Sequence, residues 1–228
     1  FDILHSLRFN ASAMKKLLRF GYPAGLEFFL NMMAFNMLIM TFHSQGSVVA
    51  TAITVVFNWD MVSFVPLIGV NIGVVSLVGR YMGARQPDIA HRATMSGLKL
   101  ALMYSMLTFT AFLCFPELLV KVFRPDEMGS VFSQAEPLAI FMVRMASIYV
   151  CADATMIVFS GALRGAGDTF WAMCISVGIH WGIVAILNVM LHVMKWPAKT
   201  AWGILVFLFL GFTAVFFLRY RTGKWRTI

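Results

Sequence analysis

Long apolar runs broken by short polar segments set the pattern of this chain. A helix needs about 20 mostly apolar residues to cross the ~30 Å hydrocarbon core of a bilayer. Six stretches reach that length: 20–42, 48–78, 92–115, 137–163, 170–194 and 200–219. The breaks between them carry turn and capping chemistry. HSQGS (43–47) predicts a tight turn, and Asp88, closing GRYMGARQPD (79–88), a cap for the third span. RGAGDT (164–169) ends the fourth span on glycines, with Asp168 or Thr169 placed to cap the fifth. Pro23 suits the first turn of the first span. As a straight helix, the second run of 31 residues would extend about 46 Å. It must tilt, kink or overrun the bilayer, and Pro66 with Gly69 and Gly73 predicts a kink. The longest break, 116–136, has room for a short surface helix. The expected fold is an all-α membrane protein with a basic, amphipathic lead-in (1–19), a six-helix transmembrane lobe (20–220) and a basic tail (221–228).

Composition agrees with that pattern. Sixty per cent of the 228 residues are hydrophobic and 12% are charged, with a mean hydropathy of +0.82. A soluble domain sits nearer 45–50% apolar and about 25% charged. The net charge of +8 raises the question of nucleic acid, and its distribution answers it. Arg8, Lys15, Lys16 and Arg19 precede the first span, and Arg80, Arg85, Arg92 and Arg164 lie in the second and fourth breaks. Arg219, Arg221, Lys224 and Arg226 follow the last span, whereas the opposite loops hold only Lys121, Arg124, Lys195 and Lys199. This is the positive-inside asymmetry, which predicts both termini in the cytoplasm and no nucleic-acid partner. Opening on Phe1 rather than Met, the chain is expected to be a fragment or a processed piece. Cys114, Cys151 and Cys174 lack metal or disulfide spacing and read as small apolar helix residues.

Three acids break the apolar runs: Glu27, Asp60 and Asp153. A charge at the centre of a membrane helix costs roughly 2.5–3.5 kcal/mol on insertion scales, so each is expected to face a bundle interior or a wet cavity. One reading pairs them with Arg144 or holds them by packing. The other makes them exchanging cation sites. Glu27 and Asn31, four residues apart, stack on one helix face as a candidate cradle for a proton, a sodium ion or an ammonium group. Asp60 is expected to play a supporting role, with Asn58 and Trp59 as candidate hydrogen-bond donors. Nine residues separate Arg144 from Asp153, about 13–14 Å along one helix and on opposite faces, so they do not pair within it.

Other constellations carry less. The 22 Phe and 17 Met are mostly packing and lipid-facing mass. His180 reads as a hydrogen-bonded helix residue. RGAGDT lacks the GK[ST] of a phosphate loop. Ser160 in VFSG lacks the leading glycine of an intramembrane serine protease, and the chain is read as no enzyme, with no catalytic, metal or cofactor site.

VSLVGRYMGAR (75–85), SGALRGAGDT (160–169) and the opening GYPAGLE resemble the multidrug and toxic compound extrusion (MATE) family of cation-coupled exporters. The resemblance covers about residues 15–222 and implies one lobe, the C-terminal one, of a twelve-helix, two-lobe transporter whose other half is an N-terminal six-helix partner. In one branch of the family an acid lies eleven residues before the Arg of the L-R-G motif. Asp153 and Arg164 have that spacing, which implies a cation-coupling role for Asp153. A second family acid lies about two turns beyond the proline of the first helix, where this chain has Asn31. Here the acid is one turn earlier, at Glu27, and is expected to share the coupling role.

The resemblance implies an antiporter of the bacterial inner membrane, exchanging protons or sodium for organic, often cationic, drugs in contact with membrane lipid, its two lobes rocking about a central site. Magnitudes favour several acids. One pH unit is worth about 1.4 kcal/mol and 100 mV about 2.3 kcal/mol per charge. Exchanging one proton for one monovalent cation cancels the electrical part and leaves about tenfold accumulation, whereas a second ion adds roughly 3.7 kcal/mol. The alternative, a flippase for lipid-linked sugars, would line its cavity with Arg and Lys. Here only Arg144 and Lys99 are placed to serve.

Overall fold

The computed structural model describes residues 11–125 and 130–227. Its elements are α1 (Ala11–His43), α2 (Ser47–Gly83), α3 (Pro87–Cys114), the short α4 (Pro116–Lys121), α5 (Ser130–Gly165), α6 (Thr169–Asn188, prolonged by a π turn, Val189–Val193) and α7 (Ala198–Arg221). A 3₁₀ turn, Lys224–Thr227, follows α7. There is no strand among the described residues. All the α-helices but α4 are long and apolar enough to cross a membrane, so the all-α, six-span class stands. Six traverses bring the end of α7 back to the side from which α1 starts, the terminal face.

Several boundaries differ from expectation. α1 starts at Ala11, so the basic stretch through Arg19 continues the first helix instead of forming a separate segment. Pro23 consequently lies inside α1, where it leaves one carbonyl without its helical donor. Residues 1–10 of the lead-in and 126–129 of the long loop lie outside the described residues. α2 is a single helix of 37 residues with Pro66 inside it, about 55 Å long by its rise and so longer than the ~30 Å hydrocarbon core. Asp88 is not the cap of α3: Gln86 holds that position, Pro87 takes the first helical one, and the Asp88 carboxylate pairs with Arg226 at 3.3 Å. Asp168 does sit at the N-cap of α6 but makes no capping bond. Its two oxygens are taken by Arg219 Nε and Nη2 at 2.9 and 3.0 Å. A fixed guanidinium from α7 outbids the backbone amides because both of its bonds are charge-assisted. α4 is the short helix expected in the long loop.

α5 is the axis of the lobe. Two-thirds of its span is buried, against a third or less in the others. Ala135, Ala139, Ala146, Ala154 and Ala162 recur along it and let α2, α3 and α7 approach closely. At one crossing, Gly79 lies over the Gly165 carbonyl, and Asn71 Nδ2 donates to the Ile157 carbonyl at 2.6 Å. α1 and α6 form a separate pair, tied by Asn31 Nδ2 to Ser176 Oγ (2.7 Å) and by Asn188 Nδ2 to Thr41 Oγ1 (3.0 Å). That pair meets the α5-centred body through rings: Phe35 on Phe57, Phe42 on Trp202, His180 on Phe212. The tail is anchored by Trp225, 1% exposed and stacked on Tyr220.

Candidate functional site

A cavity of about 50 Å³ lies in the seam between the α1/α6 pair and the body. Ala34, Phe35 and Leu38 of α1 and His180, Ile183 and Val184 of α6 form one wall; Phe57, Trp202, Leu205 and Phe209 form much of the other. Into this apolar enclosure project three polar groups from the body: Asp60 of α2, and Tyr149 and Asp153 of α5. Tyr149 and Asp153 are one turn apart and share a helix face. Tyr149 Oη donates to Asp60 Oδ1 at 2.9 Å, fixing one carboxylate. Asp153 makes no side-chain hydrogen bond and no ion pair among the described residues. His180 Nδ1 is engaged by the Ser176 carbonyl at 2.9 Å, so it is both a hydrogen-bonded helix residue and part of the wall.

The other expected residues sit elsewhere. Glu27, 3% exposed, does not reach the cavity. Arg164 holds it in a fork, Nη2 to Oε1 at 2.5 Å and Nε to Oε2 at 3.3 Å. Asn31 gives its amide to Ser176, and its Oδ1 is buried with no partner. Glu27 and Asn31 therefore do not act as one cradle, because each is claimed by a different helix. The donors expected for Asp60 are corrected too. Asn58 is exposed and bonds back to the Thr54 carbonyl, while Trp59 Nε1 donates to the Leu119 carbonyl at 2.9 Å. Neither neighbour can turn toward Asp60, since consecutive helix residues point in different directions. Arg144 is exposed and pairs with no acid among the described residues, and neither it nor Lys99 lines the cavity.

The sequence reading missed Tyr149 and the partner role of Arg164. Tyr149 was recoverable, standing four residues before Asp153. Arg164 was named only as a motif marker, and its link to Glu27 spans 137 positions that no local pattern encodes.

Chemically, the cavity offers one bare carboxylate, a second held by a phenol, and apolar walls that strengthen any charge interaction inside. Its volume takes a few waters or a small ion. Drug-sized ligands need sites of about 300–1,000 Å³. By size the pocket suits water or a small cation and not a drug-sized molecule.

The MatE family model matches residues 23–191. The chain is 27% identical to the probable multidrug resistance protein NorM of Shewanella oneidensis, over 92% of this chain and 46% of that protein. It is 25% identical to the Thermotoga maritima protein of the same name, over 94% and 45%. The chain thus spans about half the length of the curated relatives it matches. Among solved structures, an outward-facing MATE family transporter of the MOP superfamily superposes with a TM-score of 0.84 at 18% identity, over 96% of this chain and 48% of that one. A MOP superfamily transporter from Pyrococcus furiosus gives 0.86 at 17%, over 98% and 50%. These likenesses show the fold, and the family model covers most of the described helices. The chain belongs to the MatE family, whose members are transporters and not enzymes.

Proposed function

We propose that this chain is the C-terminal six-helix lobe of a bacterial inner-membrane exporter that exchanges protons or sodium ions for organic, often cationic, drugs. The observation that carries the reading is the half-buried Asp153 carboxylate, without a protein partner among the described residues, in an apolar-walled cavity beside the Tyr149-held Asp60. A carboxylate left without a protein partner in such a place favours a cation that arrives from outside. The names of the NorM relatives support multidrug export, and the basic terminal face supports cytoplasmic termini. In this reading the coupling ion occupies the seam cavity, and the drug occupies larger space against the N-terminal lobe. Cation entry neutralises Asp153 and releases the drug's countercharge on the outer side; cation exit restores it on the inner side.

The test is gradient-driven ethidium transport by the full-length protein in vesicles. Accumulation is expected under an imposed proton or sodium gradient and is expected to vanish when that gradient is collapsed. Equal uptake with and without either gradient would remove the coupling.

Asp60 has a prediction of its own. In Asp60→Asn the amide oxygen still accepts from Tyr149, so the melting temperature should hold while one negative charge leaves the cavity. The half-saturating concentration of the coupling ion is expected to rise roughly tenfold, the equivalent of about 1.4 kcal/mol. A lower melting temperature with unshifted ion dependence would make Asp60 a structural residue only.

A further inference from the structure

We propose that the Glu27–Arg164 pair is a latch that closes the terminal-face end of the seam, with Arg164 as a positioning residue that neutralises Glu27 until an organic cation takes its place. The identity of the displacing cation rests on the exporter reading; the latch itself rests on geometry.

Connectivity comes first. α1 and α6 are bonded to each other by two amide–hydroxyl hydrogen bonds, whereas ring contacts dominate their meeting with the body. Ring contacts are weakly directional, and packed helices slide across such surfaces in shear motions. Directional ties across the seam concentrate at its ends. At the far end α1 is joined covalently to α2 through the turn after His43, which also approaches Thr54 Oγ1 at 3.4 Å. At the terminal face, Asp168 binds Arg219 where α6 is already joined to α5 by the short link after Gly165. Among the described residues, no short link joins α1 to α5, α6 or α7 at this end. There Glu27 ties α1 to Arg164 in the last turn of α5.

The burial of the two partners then sets the direction of the switch. The Glu27 side chain is 4% exposed and the Arg164 side chain 28%. The arginine is reachable from the terminal face and the glutamate is not. A buried carboxylate stripped of its partner is strongly unfavourable, so the seam does not part by leaving Glu27 bare. It parts when another cation replaces the guanidinium. An amphiphilic organic cation fits that demand, since its charge serves Glu27 and its rings match the aromatic seam. α1 then swings with α6 and exposes the cavity that holds Asp153.

Labelling of a cysteine inside the cavity reads the latch directly. Ala34 lines the cavity from α1 and is 1% exposed. Ala34→Cys is placed in the full-length protein freed of its other cysteines, and a membrane-impermeant maleimide is added at the terminal face. Glu27→Gln and Arg164→Gln should each raise the labelling rate roughly tenfold or more. The exchanged pair, Glu27→Arg with Arg164→Glu, should return it toward the parent rate, and that rescue also guards against a single variant that folds poorly. Ethidium should speed labelling of the parent and not of Glu27→Gln. Unchanged rates in both single variants, or an exchanged pair as fast as either, overturn the latch. Fast single variants with no ethidium effect on the parent overturn the displacement. Labelling as expected without gradient-driven transport in the vesicle assay sinks the exporter reading alone.

Discussion

Asp153→Asn is expected to abolish gradient-driven ethidium accumulation, down to the level of protein-free vesicles, without lowering the melting temperature. Asparagine keeps the shape of the side chain and its place in the cavity wall but cannot carry the charge that a coupling ion neutralises. No hydrogen bond or ion pair among the described residues is lost, because Asp153 makes none. An unpaired carboxylate in an apolar enclosure is a cost to the fold, so removing its charge should leave stability unchanged or raise it. That combination, function lost and stability kept, is the mark of a residue retained for chemistry at the expense of packing. With Asp60 still charged, residual binding of the ion is expected, but the exchange loses its switching group. Accumulation at the parent rate would move coupling away from Asp153, with Asp60 the next carboxylate to examine.

The sequence reading captured what depends on runs of residues and missed what depends on helix rotation. Six spans, the even topology and the acids at 60 and 153 follow from where apolar stretches start, stop and are interrupted. The reading went astray where one helix chooses its partner. α5 is apolar on nearly every face, so no inward stripe tells which neighbour Tyr149 or Arg164 will meet. Asp60 meets Tyr149 from 89 positions away, and Glu27 meets Arg164 from 137. The expectation that Asn58 or Trp59 would serve Asp60 drew on proximity in sequence, where the helix instead sends the three side chains in different directions. Pro23, expected at a helix start, sits inside α1, since a long apolar segment gains more from keeping its other backbone bonds than it loses at one carbonyl. Pro66, the expected kink, lies within α2, whose helix continues on both sides of it. Asn71 carries a legible signal of its own, since an amide in mid-span marks a place where helices hydrogen-bond.

Gly165→Ala is expected to lower the melting temperature sharply, and Gly165→Leu to leave little folded protein. The L-R-G stretch supplies more than Arg164. A methyl group at position 165 would lie 2.6 Å from the Val75 carbonyl oxygen and 3.0 Å from Val78 Cβ. The nearest obstacle is the backbone of α2, which cannot rotate aside as a side chain can, so α2 and α5 must move apart. One turn earlier, a methyl at Gly161 would meet Asn71 Nδ2 at 2.6 Å, and that amide is already committed to the Ile157 carbonyl. Separating the helices at Gly165 therefore strains this hydrogen bond as well as the close packing along the crossing. Overpacking costs about 1–3 kcal/mol, occasionally more, and a backbone obstacle places the alanine variant at the upper end. Gly178→Ala is the matched control: it lies in α6, and a methyl there meets nothing within 4 Å. Without a clash, that variant should melt at or above the parent temperature, because alanine fixes the helical backbone at less entropic cost than glycine. If Gly165→Ala and Gly178→Ala melt alike, the α2–α5 crossing at Gly165 is not a close backbone contact.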